Sequence, residues 1–185
     1  STMIVPMPRL NGLFMTIALA LSLFVVPLAL PGPAMAQAGG AFAPRGKPHI
    51  HTELIAESQQ PAPGSTVTLA IRMQPDAGWH GYWKNPGDAG MGMTIDWTLP
   101  KGVQVGDLHY PVPQRLVIAG LMNHVYDHEY ALLFDVRIPK GLARGTVLPI
   151  RGMGHWLACT TSICVPEQGE LSTTLTVGDG AVSPA

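Results

Sequence analysis

The chain has 185 residues, of which 46% are hydrophobic and 12% charged, and its formal net charge is −1. A chain of this length is long enough for about one domain with a buried core. So small a charged fraction excludes a charged disordered tail, and the lack of a basic excess disfavours nucleic-acid binding. The 21 glycines and 18 prolines indicate many turns and stay below the low-complexity range.

An apolar segment near the N-terminus is typical of a cleavable export signal. Arg9 is the only charged residue among the first 44, and an almost wholly apolar stretch follows it at residues 13–30. An Ala-x-Ala site at 34–36 completes the pattern of a signal peptide. We therefore expect residues 1–36 to be removed on export, most simply to a bacterial periplasm. The alternative is a retained membrane anchor, because the apolar stretch approaches a spanning length.

The rest of the chain has the pattern of an antiparallel β-protein. Residues 37–48 are predicted to be a flexible entry, 49–178 a β-sandwich and 179–185 a tail or linker. Apolar and polar residues alternate with a period of two, Gly/Pro-rich turn signals separate the runs, and no long helical stripe is present. Roughly seven to nine short strands with such turns predict an all-β sandwich. The candidate strands are Ile50–Ala56, Val67–Met73, Ile95–Leu99, Tyr130–Ile138, Val147–Ile150 and Leu171–Val177.

The two cysteines, Cys159 and Cys164, lie in the segment WLACTTSICVP with four residues between them. This is not the two-residue spacing of thioredoxin-like motifs, and two cysteines alone do not form a zinc site. In an oxidising compartment the pair is consistent with a structural disulfide. It is also consistent with an exchanging disulfide, because the apolar flanks Trp156, Leu157 and Val165 offer a partner a docking surface. The residues alone leave both interpretations open.

Two segments together resemble a known family. WLACTTSICVP at 156–166 and GWHGYWKNPGDAGMGMTIDW at 78–97 are similar to the N-terminal periplasmic domain of the thiol:disulfide interchange protein DsbD. The similarity is strongest to the branch that contains the suppressor-of-copper-sensitivity protein ScsB, and it covers roughly residues 48–178. The resemblance implies an immunoglobulin-like β-sandwich with a redox-active disulfide and no other cofactor. It further implies that reducing equivalents come from a membrane-embedded electron-donor domain and pass to periplasmic thioredoxin-like proteins, among them disulfide isomerases and cytochrome c maturation proteins.

The resemblance also implies roles for individual residues. Cys164 corresponds to the cysteine that attacks the partner's disulfide, and Cys159 to the one that resolves the mixed disulfide. A cap loop covers the pair in this family, and the matching stretch here is 123–127, with Val125 and Tyr126 as the expected shielding side chains.

Four titratable side chains are candidates to assist proton transfer at the cysteines, although each also fits a surface or core position. They are His155, Tyr82, His80 and Glu167.

Methionine and histidine pairs suggest a rival function. Thioether and imidazole groups suit Cu(I), and residues i and i+2 of a strand share a face, so each pair is able to chelate. The rival hypothesis is a periplasmic copper-binding or copper-tolerance module, and core packing is the simpler reading of the same residues. A third hypothesis is a non-catalytic sandwich with a structural disulfide. The main interpretation expects no metal; the alternative copper ligands are Met91 with Met93, Met122 with His124, and Met153 with His155.

Overall fold

The computed structural model describes residues 46–183. The predicted leader, residues 1–36, and most of the segment 37–48 therefore lie outside the described residues. The regular elements in the described part are β-strands, which confirms the predicted all-β class. Between residues 46 and 183 there is no helix with the length and hydropathy needed to cross a membrane.

In residues 46–183, ten strands form three antiparallel sheets, whose strand orders are β1-β2-β8-β5, β10-β9-β4 and β3-β7-β6. The strands are β1 (Ile50–Ala56), β2 (Thr66–Pro75), β3 (Gly81–Gly87), β4 (Thr94–Thr98), β5 (Gln104–Val105), β6 (Gln114–Ile118), β7 (Leu121–Tyr126), β8 (Tyr130–Arg137), β9 (Val147–Cys159) and β10 (Cys164–Thr176).

The four-stranded sheet and the β10-β9-β4 sheet enclose the main core. On β9 the even-numbered residues from Leu148 to Ala158 are buried, whereas the odd-numbered residues from Val147 to Met153 are exposed. On β8 the alternation is equally strict, with Leu132 and Phe134 fully buried. This period of two places one face of each strand inside the sandwich, because successive side chains point to opposite sides of a sheet.

The third sheet, β3-β7-β6, is joined to β9 through one bridge, between His80 and Cys159. Along the outer face of β9 burial increases from exposed Met153 through half-buried His155 and Leu157 to Cys159, which is 0% exposed. The third sheet therefore covers the last residues of β9 on the face that points away from the main core.

A two-residue turn, Ala119-Gly120, connects β6 to β7. Ala119 has φ 50° and Gly120 has φ 83°, so both lie in the left-handed region that a type I′ hairpin turn requires. We call β6, β7 and this turn the cap hairpin. Its tip, 118–121, lies beside the β9–β10 turn.

Candidate functional site

The two cysteines face each other at the end of a long hairpin and form a disulfide. Cys159 is the last residue of β9 and Cys164 the first of β10, and their Cα atoms are 4.1 Å apart. The Thr160 amide donates to the Ile163 carbonyl at 2.8 Å. The amides of Ser162 and Ile163 donate to Thr160 Oγ1 at 3.1 Å. The turn between the cysteines is thus held by its own hydrogen bonds.

The two sulfur-bearing residues differ sharply in exposure. Cys159 is 0% exposed, because its backbone amide and carbonyl both bond to His80, at 3.0 and 2.8 Å, and the third sheet lies over it. Cys164 begins the edge strand β10 and is exposed. A partner that approaches from solvent therefore meets Cys164 first.

An apolar cluster shields the buried cysteine. Tyr82, Val125 and Cys159 form one buried group, with Leu116 and Leu157 packed against it. Val125, which the sequence predicts as a shielding residue, thus contacts the cluster that contains Cys159.

Tyr126, the other residue predicted to shield the pair, belongs to the main core instead. Its ring stacks on Tyr130 at 4.1 Å, and its hydroxyl donates to the Pro111 carbonyl at 2.6 Å. Burial raises the pKa of the Tyr126 phenol. The side chain of Tyr126 is therefore held away from the disulfide by its own packing.

A groove of about 190 Å³ runs between the cap hairpin and the β9–β10 turn, and Cys164 is part of its lining. Leu121 and Ile163 are 47% and 56% exposed beside it. Sequence reasoning missed Leu121 and Ile163, because Ala119-Gly120 is not one of the dipeptides that mark a two-residue hairpin turn. The groove is lined by Tyr82, Ala89, Ile118, Ala119, Leu121, Asn123 and residues 160–164.

Two of the four predicted proton-transfer candidates lie at the disulfide. His80 is 3% exposed and is the bridge partner of Cys159, so its side chain stands on the same face as the sulfur. Its Nε2 lies 3.3 Å from the Tyr82 hydroxyl. Burial lowers the pKa of His80, against an opposing effect of Asp127, and burial raises the pKa of Tyr82. The site therefore favours a neutral imidazole next to a protonated phenol.

The other two candidates are held elsewhere. Glu167 pairs with Trp156 on the face of the β9–β10 hairpin opposite the cysteines. Its carboxylate accepts hydrogen bonds from Trp156 Nε1 at 2.9 Å, from the His49 amide at 2.6 Å and from the Ile50 amide at 3.2 Å. His155 lies four residues before Cys159, and its Nε2 is 3.0 Å from Asp96 Oδ2.

The methionine and histidine pairs lie in different parts of the fold. Met93 is buried in the main core, next to Gly154. Met153 and His155 lie on the outer face of β9, whereas Met122 and His124 lie on β7, where His124 Nδ1 bonds to the Asn85 carbonyl at 2.9 Å.

Within residues 46–183, no three His, Cys, Asp or Glu side chains lie close enough together to hold a metal ion.

Comparison with known proteins connects this geometry to a family. The family described as "Thiol:disulfide interchange protein DsbD, N-terminal" matches residues 51–176. No curated protein sequence matches the chain significantly.

Among solved structures, the N-terminal periplasmic domain of ScsB from Proteus mirabilis shares 21% identity, with a TM-score of 0.52 over 68% of this chain. This chain spans 46% of that ScsB chain, about half its length. The likeness shows that the two share a fold, the immunoglobulin-like sandwich expected from the sequence.

Two structures from Neisseria meningitidis are more distant. The DsbD N-terminal domain in its reduced form is 11% identical, with a TM-score of 0.38 over 71% of this chain and 87% of that one. The complex between the DsbD and PilB N-terminal domains contains a match of 15% identity and TM-score 0.40, over 73% of this chain and 88% of that one.

Proposed function

The chain belongs to the family of the N-terminal domain of the thiol:disulfide interchange protein DsbD, and from this premise we propose how it carries electrons. It is a thiol:disulfide interchange domain whose disulfide, Cys159–Cys164, takes up two electrons and two protons from a donor dithiol and passes them to a partner's disulfide. The observation that carries the proposal is the unequal exposure of the pair, with Cys159 at 0% and Cys164 open to solvent.

The unequal exposure of the two cysteines supports a particular order of attack. In the reduced domain the Cys164 thiolate attacks a sulfur of the partner's disulfide, and the partner's other sulfur leaves as a thiolate. The Cys159 thiolate then attacks the Cys164 sulfur of the mixed disulfide, which re-forms the internal disulfide and releases the partner as a dithiol. Access and thiolate character control such exchange. The exposed sulfur is suited to the first step, and the buried one, already opposite it across the hairpin, to the second.

His80 and Tyr82 assist these steps in the proposal. Both side chains stand on the face of the Cys159 sulfur, and the imidazole is hydrogen-bonded to the phenol. A neutral imidazole is able to accept the Cys159 proton when that sulfur becomes the attacking thiolate. Glu167 takes no part, because its carboxylate is on the opposite face of the hairpin and bound by three donors.

The cap hairpin restricts access to the pair. Its inner face carries Val125 and Leu116, which cover Cys159, and its tip forms one wall of the groove beside Cys164. A partner that displaces the hairpin gains access to the Cys159 sulfur as well, so the hairpin protects this buried sulfur from adventitious oxidation between encounters.

The partners and compartment follow from the family and from the site's surface. The proposed donor is a membrane-embedded domain, and the proposed acceptors are periplasmic thioredoxin-like proteins or disulfide isomerases. The apolar side chains Leu121 and Ile163 beside Cys164 fit an apolar surface around a partner's cysteine. An export signal at residues 1–36 accounts for the periplasmic location.

Trapping the mixed disulfide tests the order of attack. Cys159→Ser removes the resolving sulfur and is expected to accumulate an adduct with a thioredoxin-like partner through Cys164. Cys164→Ser is the matched control and should give almost none. A stable adduct with Cys164→Ser alone would reverse the assignment.

The reduction potential of the pair tests the function itself. Equilibration with defined thiol buffers is expected to give a value above about −260 mV, in the range of exchanging disulfides. A value below about −300 mV would identify a structural disulfide and refute the proposal.

A further inference from the structure

Asn123 is a buried polar side chain in the lining of the groove beside Cys164. It lies on β7 between Met122 and His124, it is 2% exposed, and it shares its face of the strand with Leu121 and Val125. This is the face of the cap hairpin that covers the disulfide. A buried amide here requires hydrogen-bond partners for both its nitrogen and its oxygen.

The nitrogen has its partners. Asn123 Nδ2 donates to the Leu121 carbonyl at 3.1 Å and to the Leu116 carbonyl at 3.4 Å. These two acceptors also fix the orientation of the amide, because the flipped rotamer would place Oδ1 against two carbonyl oxygens. The side chain thereby holds the two strands of the cap hairpin together.

The oxygen has none. Asn123 Oδ1 is buried and accepts no hydrogen bond from any of the described residues. An unpaired buried acceptor is costly in a folded protein, and such a group calls for a physical explanation.

We propose that Asn123 is a positioning residue whose Oδ1 accepts a hydrogen bond from the Cys164 thiol that forms when the disulfide is reduced. Asn123 and Cys164 line the same groove, whereas Cys159 does not. The oxidised pair has no S–H group. Reduction by two electrons breaks the S–S bond, and two protons convert the sulfurs to thiols, one of which is at Cys164. The missing donor is therefore supplied by the reaction itself.

The proposal deepens the proposed function and rests on it. An acceptor that is unpaired in the disulfide form and paired in the dithiol form stabilises the dithiol relative to the disulfide. It also links the reduced cysteine to the hairpin that covers it, since the same amide group bonds to both.

The first test is the thiol–disulfide equilibrium of the full chain with glutathione. Asn123→Leu keeps the approximate volume and removes the acceptor. We expect the equilibrium constant for reduction to fall about threefold to tenfold, which is the effect of one hydrogen bond and corresponds to a potential about 14 to 30 mV more negative.

Val117→Gly is the matched control. Val117 is 65% exposed on the outer face of β6, opposite Met122, so a glycine there loosens the same hairpin and leaves Oδ1 in place. It is expected to leave the equilibrium constant within twofold of the wild-type value. Equal shifts in Asn123→Leu and Val117→Gly, or no shift in Asn123→Leu, would overturn the proposal.

The second test observes the hydrogen bond directly. Cys159→Ala leaves one thiol, whose S–H stretching band is read by infrared spectroscopy. We expect Asn123→Leu to move this band to the higher frequency of a thiol without an acceptor, and Val117→Gly to leave it in place. An unmoved band in Asn123→Leu refutes the inference even where the pair exchanges normally. A pair that fails to equilibrate with glutathione refutes the proposed function, while the band still decides the role of Asn123.

Discussion

Replacement of Glu167 by alanine should destabilise the fold and leave the redox chemistry unchanged. The carboxylate is 6% exposed and accepts hydrogen bonds from the amides of His49 and Ile50 and from Trp156 Nε1. Ile50 and Trp156 are 0% and 3% exposed, so water does not replace the carboxylate at either donor. Each buried donor left unpaired costs roughly 1–3 kcal/mol, which gives a loss of about 2–6 kcal/mol in the free energy of unfolding.

Urea unfolding followed by circular dichroism measures this loss, and thermal unfolding should show a Tm lower by roughly 10 °C. Glu167→Gln is the matched control. Its remaining oxygen at the Oε2 position keeps the bonds from Ile50 and Trp156, so we expect a loss of only about 1 kcal/mol. A loss below about 1 kcal/mol for Glu167→Ala would refute the bonding argument. A tenfold slower exchange with glutathione in the folded variant would instead support the proton-transfer role predicted from the sequence.

Two further predictions concern the site. Ile163→Ser removes an exposed apolar side chain beside Cys164, so stability should change by no more than about 0.5 kcal/mol, while mixed-disulfide formation with a protein partner slows about tenfold. Reduction of the same variant by dithiothreitol is the control. If that reaction slows equally, Ile163 does not act by binding the protein partner. Burial lowers the pKa of His80 below its ordinary value near 6.5, so the folded protein keeps the imidazole neutral while the unfolded chain takes up a proton. The free energy of unfolding is therefore unaffected by His80 titration above about pH 6.5. As the pH falls from there towards the lowered pKa, protonation of the unfolded chain reduces the free energy of unfolding by up to about 1.4 kcal/mol per pH unit. His80→Phe should flatten the decline in urea midpoint between pH 7.5 and 5, and equal slopes in the two proteins would contradict the assigned burial.

The strict period of two made several strands predictable. The predicted strand Ile50–Ala56 coincides with β1, and the predicted strand Val67–Met73 lies inside β2. The expected Val147–Ile150 and Leu171–Val177 are parts of the longer strands β9 and β10, which continue to the cysteines. Glycines at 152, 154 and 169 interrupt the apolar pattern there, because added side chains would collide with large residues such as Trp97 and Trp156. The sequence pattern therefore did not predict that β9 and β10 continue to the cysteines.

The third sheet was harder to predict. β3 ends in Asn85-Pro86-Gly87, a combination that predicts a turn, and its pairing with β7 is irregular between Tyr82 and Gly87. β6 and β7 are only 5 and 6 residues long. Short strands have weak periodic patterns. β6 and β7 are instead stabilised by packing against the end of β9, which is distant from them in sequence.

The sequence by itself determined the all-β class, the single cysteine pair and the family resemblance, because these depend on local alternation and on residues close together in the chain. Only the tertiary structure decided that Cys159 is buried and Cys164 exposed, that Val125 packs in one cluster with Cys159 while Tyr126 packs in the main core, and that Asn123 lines the groove beside Cys164. The physical reason is that each of these properties depends on the third sheet folding over the end of β9. That contact joins residues 80–87 and 114–126 to Cys159, and no pattern within either part of the chain specifies it.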